Sequence, residues 1–275
     1  MTARERLEIV LRETGHAAKR SLGQNFLISD TVIERIHEEA RSLQPEFLIE
    51  IGPGPGALTD GLREMNLPMK VIELDRTMAE YWRGKNLEVI EEDALRVNWV
   101  ELIQGNSTVL VSNLPYQISS SLVIDRSLDD RTLSGMVLMF QKEVAQRIRA
   151  LPSTEAYGML SVIAQNFWSV RTVSDAGPRD FDPPPRVASR VLGFRPLADV
   201  LKQKKQFLAF VKACFAQRRK LLKSNLSGWM GSRKIPLENL LAKLDAFGLK
   251  ETARAEELSP AQFRELYEHL DRSGK

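Results

Sequence analysis

The amino-acid sequence predicts an α/β protein, with a Rossmann-like parallel sheet followed by a small all-helical domain. From residue 47 to residue 141, short apolar runs alternate with longer amphipathic stretches, which is typical of a parallel sheet with helices on both faces. Beyond Arg195 the strand signals stop, and apolar residues recur at helical spacing. We therefore predict two domains, at residues 1–198 and 199–275.

The elements of the sheet follow from this alternation. Strands are predicted at residues 47–51, 69–74, 87–90, 108–112 and 136–140, with connecting helices near residues 58–65, 77–83, 99–103 and 120–128. After a helix near residues 157–168, late strands near residues 170–173 and 189–194 would close the sheet with an antiparallel edge. In the second domain, Ser259 and Pro260 are suited to begin the last helix, as N-cap and first-turn residue.

The composition of the 275 residues, 43% apolar and 27% charged, is that of an ordinary globular protein. No apolar run approaches the roughly 20 residues of a membrane-spanning helix. Residues 1–13 predict a short amphipathic helix without the apolar core of a signal peptide, so we expect a cytoplasmic protein. No exposed apolar stripe in the sequence suggests more than a monomer. The single cysteine, Cys214, excludes an intrachain disulfide and is expected in the core. Three scattered histidines predict no metal site.

The net charge of +3 conceals one strongly basic stretch. Ten basic residues and no Asp or Glu lie between residues 200 and 237: Lys202, Lys204, Lys205, Lys212, Arg218, Arg219, Lys220, Lys223, Arg233 and Lys234. Clustered Lys and Arg attract a polyanion and gain free energy by releasing its counterions. A solvated face gives a similar pattern, but the lack of any acid favours contact with nucleic acid.

A glycine-rich loop, Glu50-Ile-Gly52-Pro-Gly54-Pro-Gly56, follows the first predicted strand. Glycines let the backbone approach a ligand, so we expect Gly52 and Gly54 at a nucleotide site, with Glu73 accepting hydrogen bonds from ribose hydroxyls. These features fit NAD as well as S-adenosylmethionine. The two prolines remove N–H donors that a pyrophosphate needs, which favours a ligand without phosphates. Asp93, expected to end the third strand, is a candidate partner for an adenine amino group, or a helix cap.

The segment Asn113-Leu114-Pro115-Tyr116 ends the fourth predicted strand. Adenine N6 is a poor nucleophile because its lone pair is delocalised into the ring. The Asn113 side-chain oxygen and the Leu114 carbonyl would accept the N6 hydrogens and free that lone pair. Pro115 stiffens the turn, and Tyr116 offers a face on which an extruded base can stack. After a glycine loop and two acids at strand ends, this segment predicts adenine N6 methylation rather than a simple turn.

The chain resembles the KsgA-type small-subunit ribosomal RNA adenine N6,N6-dimethyltransferases over nearly its whole length. The matching motifs are LGQNFL (22–27), EIGPG (50–54), VIELD (71–75), EDA (92–94), NLPY (113–116), QKEV (141–144), AYG (156–158), FDPPPRV (181–187) and QRRK (217–220). The resemblance implies a class I methyltransferase sheet and two adjacent adenosines as substrate, in a hairpin loop near the 3′ end of small-subunit RNA. It implies that the helical domain docks on the small ribosomal subunit.

The resemblance also implies roles for single residues. S-adenosylmethionine would contact Asn25, Leu27, Gly52, Glu73, Asp93 and Asn113. Tyr116 and Phe181 would sandwich the target adenine, although Phe181 alone would more often be a packing residue. Asn25 and Phe26, just after Lys19 and Arg20, would close over the cofactor as a lid. Arg218, Arg219, Lys220 and Lys223 are the expected RNA contacts.

Three other functions compete with this interpretation. A large-subunit methylase that confers antibiotic resistance has similar core motifs, but the Phe181 loop and residues 217–220 favour the small-subunit enzyme. A ribosome-assembly or transcription factor of the same fold would have no need of both a cofactor pocket and an intact Asn113–Tyr116 loop. A nicotinamide dehydrogenase would need a residue suited to hydride chemistry, and the sequence offers no suitably placed His.

Overall fold

The computed structural model describes residues 1–15, 24–129, 133–199 and 201–273. Its contacts divide the chain into two compact units, Met1–Ala145 with Ser169–Pro196, and Gln146–Trp168 with Leu197–Lys275. The boundary after Pro196 lies two residues before the predicted one at residue 198. The prediction did not include the segment Gln146–Trp168 in the helical unit, to which the structure assigns it. The reason is hydrogen bonding and packing within that unit, where Tyr157 Oη donates to the Leu258 carbonyl at 2.8 Å.

The strands of the described ranges are β1 (Phe26–Leu27), β2 (Phe47–Ile51), β3 (Met69–Ile72), β4 (Glu88–Ile90), β5 (Thr108–Asn113), β6 (Gly135–Gln141), β7 (Trp168–Ala176), β8 (Phe181–Asp182) and β9 (Ser189–Pro196). The main sheet has the order β4-β3-β2-β5-β6-β9-β7. Pairs from β4 to β6 are parallel, and β9 is antiparallel to β6, which confirms the predicted antiparallel edge. The strand order reverses at β2, and ligands bind at such a switch point in open α/β sheets.

The helices are α1 (Ala3–Thr14), α2 (Asp30–Ser42), α3 (Thr59–Arg63), α4 (Arg76–Gly84), α5 (Trp99–Leu102), α6 (Ser119–Leu128), α7 (Lys142–Ile148), α8 (Met159–Phe167), α9 (Lys204–Cys214), α10 (Leu222–Gly231), α11 (Leu237–Ala246) and α12 (Pro260–Ser273). The predicted N-terminal helix is confirmed as α1, which begins with a capping box between Thr2 and Glu5. Among the described helices, none is long and apolar enough to cross a membrane.

The core of the first unit lies along the central strands. Every residue of β2 is buried, as are the first five of β5, because a parallel sheet is covered on both faces. Ile36 and Ala40 of α2 pack in one cluster with Val71, Val109 and Val137 of the strands. The ends of β2, β3 and β5 are therefore held rigidly, and the loops that follow them have a fixed base.

The second unit packs α8 to α12 around aromatic side chains. The ring centroid of Tyr267 lies 5.5 Å from that of Phe207 and 5.6 Å from that of Phe210. Cys214 is fully buried, as predicted, and burial raises the pKa of its thiol. Ser259 Oγ accepts a hydrogen bond from the Gln262 backbone at 3.2 Å, which confirms the predicted start of α12.

Candidate active site

Nearly all of the predicted cofactor and catalytic residues meet at one cavity of the first unit. It lies at the carboxyl ends of β2, β3 and β5, with a volume of ≈ 270 Å³. The predicted residues that line it are Asn25, Leu27, Gly52, Gly54, Glu73, Asp93, Asn113, Leu114, Pro115 and Tyr116. The lid residue Phe26 also lines the cavity, whereas Lys19 and Arg20 lie outside the described residues.

The glycine loop after β2 is bound to the protein by its own N–H groups. Gly52 N donates to the Ile72 carbonyl, Gly54 N to Glu73 Oε2, and Gly56 N to the Pro53 carbonyl. Pro53 and Pro55 have no N–H to donate. From Gly52 to Gly56 the loop therefore has no free N–H for a phosphate, which argues against a dinucleotide and fits a nucleoside ligand without phosphates.

Helix α1 fixes the far side of this loop through Arg6. Arg6 Nε donates to the Pro55 carbonyl at 3.0 Å, its guanidinium forms an ion pair with Asp60, and it lies 5.6 Å from the ring centroid of Trp82. Gly56 has a φ of 95°, and a Cβ there would lie 2.5 Å from Arg6 Nη2. Glycine at position 56 is thus needed for both its conformation and its space.

Two buried carboxyl groups lie near the loop: Glu50 near the end of β2 and Glu73 directly after β3. Glu73 Oε1 accepts from Asp75 N at 2.8 Å and Glu73 Oε2 from Gly54 N at 3.3 Å, while burial raises the pKa of the carboxyl. Burial also raises the pKa of Glu50 to about 8, and the Glu73 charge adds to that effect. Glu50 is therefore largely protonated at neutral pH, which removes one of two neighbouring negative charges.

Asp93 lies in the turn beyond β4, three residues after the strand ends at Ile90 and not at its end as predicted. Its Oδ1 accepts a hydrogen bond from Leu95 N at 2.9 Å, so it does cap a turn. It also lines the cavity. Both predicted interpretations of Asp93 are thus compatible with its position.

Asn113 is the last residue of β5, and its side chain is tied to the segment before β1. Asn113 Nδ2 donates to the Asn25 carbonyl at 3.2 Å. Because Nδ2 is the donor of the amide group and is engaged by this bond, Oδ1 is the atom that can accept. Ser119 Oγ donates to the Tyr116 carbonyl at 2.9 Å, which holds the loop after Asn113 at the start of α6.

Phe181 is not where the sandwich prediction requires it. It is 2% exposed, belongs to the hydrophobic cluster of the first unit and does not line the cavity. Its strand β8 pairs with β1, placing Phe181 opposite Leu27. In this conformation Phe181 presents no face to a base, so the predicted second stacking face is at odds with its burial.

The four predicted RNA contacts lie in or near the turn between α9 and α10. Arg219 and Lys220 are exposed there. Arg218 Nε bonds Glu256 Oε2 at 2.9 Å, and Lys223 Nζ lies 3.3 Å from Glu251 Oε2. The basic stretch has no acid of its own, but the fold brings these two acids to it from the region before α12, and they partly neutralise its charge.

Two residues that contact the lining of the cavity, Arg6 and Ser189, were not found by the sequence analysis. Arg6 belongs to a helix recognised only by its amphipathic pattern. Ser189 begins β9 and is fully buried, and its Oγ lies 2.9 Å from Tyr116 Oη. A contact between residues so far apart in the chain cannot be found from local spacing. Within the described ranges, no His, Cys, Asp and Glu side chains are grouped as they would be around a metal ion.

Comparisons with known proteins agree with this geometry. The profile of the ribosomal RNA adenine dimethylase family matches residues 15–272. A ribosomal RNA small subunit methyltransferase A from Bdellovibrio bacteriovorus is 59% identical and aligns over 98% of both chains. Another of that name, from Syntrophotalea carbinolica, is 40% identical, over 91% of this chain and 96% of the relative.

Two solved structures show the same fold. A dimethyladenosine transferase from Plasmodium falciparum superposes with a TM-score of 0.74 at 24% identity, over 90% of this chain and 98% of that chain. The 23S rRNA methyltransferase ErmE gives a TM-score of 0.67 at 27% identity, over 90% of this chain and 100% of that chain. The predicted Rossmann-like methyltransferase fold is confirmed.

Proposed function

Since the chain belongs to the ribosomal RNA adenine dimethylase family, we propose that it dimethylates N6 of two adjacent adenosines in a hairpin loop near the 3′ end of small-subunit ribosomal RNA. It is a ribosomal RNA adenine dimethyltransferase, and its methyl donor is S-adenosylmethionine. The choice of subunit is supported by the relatives named for the small subunit, which align over nearly the whole chain. We place this reaction in small-subunit biogenesis, in the cytoplasm, with the chain acting as a monomer.

The orientation of the Asn113 amide is the observation that most supports this proposal. With Nδ2 bonded to the Asn25 carbonyl, Oδ1 is left as an acceptor at the cavity. Together with the Leu114 carbonyl it would accept both N6 hydrogens of an adenine. N6 would then move towards tetrahedral geometry, and its lone pair would be freed for attack. Attack leaves a positively charged N6 that readily gives up its proton to water, so the protein needs no strong base and positioning supplies much of the catalysis.

S-adenosylmethionine supplies a methyl group activated by its positively charged sulfur. Glu73 is suited to its ribose, because its carboxyl lines the cavity and carboxylate oxygens accept hydrogen bonds from hydroxyls. We assign the adenine amino group to Asp93. The remaining contacts are assigned to Asn25, Leu27, Gly52, Gly54 and Asn113, which line the same cavity.

For the target base, we assign stacking to Tyr116 alone. Tyr116 lines the cavity and is half-buried, whereas Phe181 is almost fully buried beneath β1. Phe181 would then support the site by packing beside β1, the strand that begins directly after Asn25. For the RNA backbone, we assign Arg219 and Lys220 ahead of Arg218 and Lys223, because the latter two are engaged by acids.

The test uses small subunits from cells that lack this methylation, incubated with the protein and labelled S-adenosylmethionine. We expect label in small-subunit RNA and strong reverse-transcription stops at two adjacent adenosines, because a dimethylated N6 cannot pair. Asn113→Ala should lower the rate roughly a hundredfold or more, the scale of losing one preorganised hydrogen-bonding group. Asn239→Ala, at a partly buried asparagine of α11 in the other unit, is the matched control and should label normally.

Two results would contradict the proposal. Label confined to large-subunit RNA would assign the chain to the other ribosomal substrate. Tight subunit binding with no label at all would favour an assembly factor that keeps the fold without its catalysis.

A further inference from the structure

The buried hydroxyl of Ser189 contacts the tip of the Tyr116 side chain. Tyr116 Oη and Ser189 Oγ are 2.9 Å apart, although the two residues are 73 positions apart in the chain. Tyr116 follows β5, whereas Ser189 is the first residue of β9. The strand β6 lies between β5 and β9 in the sheet. The contact therefore joins the substrate loop to the antiparallel edge of the sheet.

Ser189 is held on a rigid element. It stands opposite Gln141 in the β6–β9 ladder, and the neighbouring Ala188 carbonyl accepts from Lys142 N at 2.9 Å. The side chain is fully buried, so its rotamer is fixed by packing. A hydroxyl fixed in this way defines a point in space for its hydrogen-bond partner.

The Tyr116 ring is constrained at both ends. At the backbone end, the Tyr116 carbonyl accepts from Ser119 Oγ at 2.9 Å and the Pro115 carbonyl from Ile118 N at 3.2 Å. At the other end, Tyr116 Oη forms a hydrogen bond with Ser189 Oγ. Oη lies on the long axis of the ring, so fixing the backbone and Oη sets χ1 and thereby the position and direction of that axis.

We propose that Ser189 is a positioning residue for the target adenine, because it fixes the position of the Tyr116 ring on which the base stacks. This inference depends on the proposed adenine methylation, but not on which ribosomal RNA is the substrate. Ser189 touches neither substrate nor cofactor and acts through Tyr116. Without this contact the ring axis can swing about χ1, and a base that shifts with the ring moves N6 away from Asn113 Oδ1; small misplacements of reacting atoms lower rates strongly.

The kinetic test compares Ser189→Ala, Tyr116→Phe and the double variant on whichever ribosomal RNA the wild type methylates. Each single variant removes the same hydrogen bond, so each should lower kcat/KM for the RNA by about tenfold. The double variant should be no slower than either single variant, because the bond can be lost only once. Ser189→Thr keeps a hydroxyl and should restore most of the rate.

A binding measurement separates positioning from general damage. The Kd of S-adenosylhomocysteine, measured by calorimetry, should stay at the wild-type value in Ser189→Ala. Ser127→Ala is the matched control, because it removes a buried serine hydroxyl that bonds within α6, and it should leave kcat/KM unchanged. Losses that multiply in the double variant, or an equal loss of S-adenosylhomocysteine affinity, would overturn the inference.

The contact itself can be tested without RNA. The chain has four tyrosines, so the Tyr116 ring can be assigned by NMR on protein with ¹³C-labelled tyrosine. Burial raises the pKa of Tyr116 and the bond from Ser189 opposes that rise, so Ser189→Ala should raise the pKa further. An unchanged Tyr116 titration would overturn the inference even if the choice of ribosomal subunit proved wrong.

Discussion

The cavity of the first unit and the basic turn of the second unit are built in opposite ways. The cavity joins distant residues, such as Asn113 and Asn25, which are 88 positions apart. The turn consists of consecutive residues, 217–220, exposed between α9 and α10. The cavity therefore depends on accurate geometry, whereas the turn depends on local charge. Substitutions in the cavity should change rates, and substitutions in the turn should change affinity and its dependence on salt.

The largest expected effect tests whether Phe181 packs in the core or stacks on the substrate base. Phe181→Ala should lower the free energy of unfolding by about 3–5 kcal/mol, because it empties a packed site beneath β1. Phe181→Leu keeps most of the apolar volume and should lower it by about 1–2 kcal/mol. Denaturant unfolding measures both values.

Turnover then distinguishes packing from stacking. If Phe181 packs, the Leu variant retains turnover close to that of Phe140→Leu, a matched substitution at another buried strand position. If Phe181 stacks on the base, Phe181→Leu should weaken RNA binding by about 1–3 kcal/mol without a matching loss of stability. That second pattern would restore the sandwich that the sequence predicted.

The next effect concerns the turn, where two charge-matched double variants can be compared. Replacing Arg219 and Lys220 by Ala should weaken subunit binding by about tenfold. It should also reduce the slope of log affinity against log salt by roughly 1.5 to 2. Replacing Arg218 and Lys223 removes the same charge but should have a smaller effect, because Glu256 and Glu251 already engage them. Equal effects would show that the ion pairs open when RNA binds.

The last prediction concerns pH and the buried Glu50. Its pKa is raised by burial from 4.5 to about 8, so between these values the folded state holds a proton that the unfolded state releases. Stability from this group is full below the lower value and is lost as pH rises through the upper one. The Tm of the wild type should therefore fall more steeply from pH 5 to pH 8 than that of Glu50→Gln. Parallel Tm profiles would contradict a protonated Glu50.

The elements and the sheet could be predicted because their information is local. Apolar runs of strand length give β2 to β6, and the Ser259–Pro260 pair gives the start of α12. The positions of Gly52, Glu73 and Asn113 at one edge also follow, because the carboxyl ends of parallel strands share that edge. The predicted strands were therefore sufficient to place the cofactor and catalytic residues at one edge of the sheet.

What could not be predicted depends on contacts across the fold. The burial of Phe181 follows from the pairing of β8 with β1, which are two residues each and leave no periodic pattern. The partial neutralisation of Arg218 and Lys223 comes from acids more than twenty positions away. Ser189 is one serine in a strand, and nothing in its neighbours points to Tyr116. The assignment of residues 146–168 to the helical unit likewise depends on distant contacts, such as that of Tyr157 with Leu258.

Adenine nucleotides such as ATP share their adenosine portion with the methyl donor and are present wherever the enzyme works. A phosphate placed against the loop from Gly52 to Gly56 would meet N–H groups that are already bonded and prolines that have none. A phosphate there would lose its hydration and gain no donor in return. The loop thus favours a ligand without phosphates through the bonding of its own backbone, and it does so without a negatively charged side chain of its own beyond Glu50 at its start.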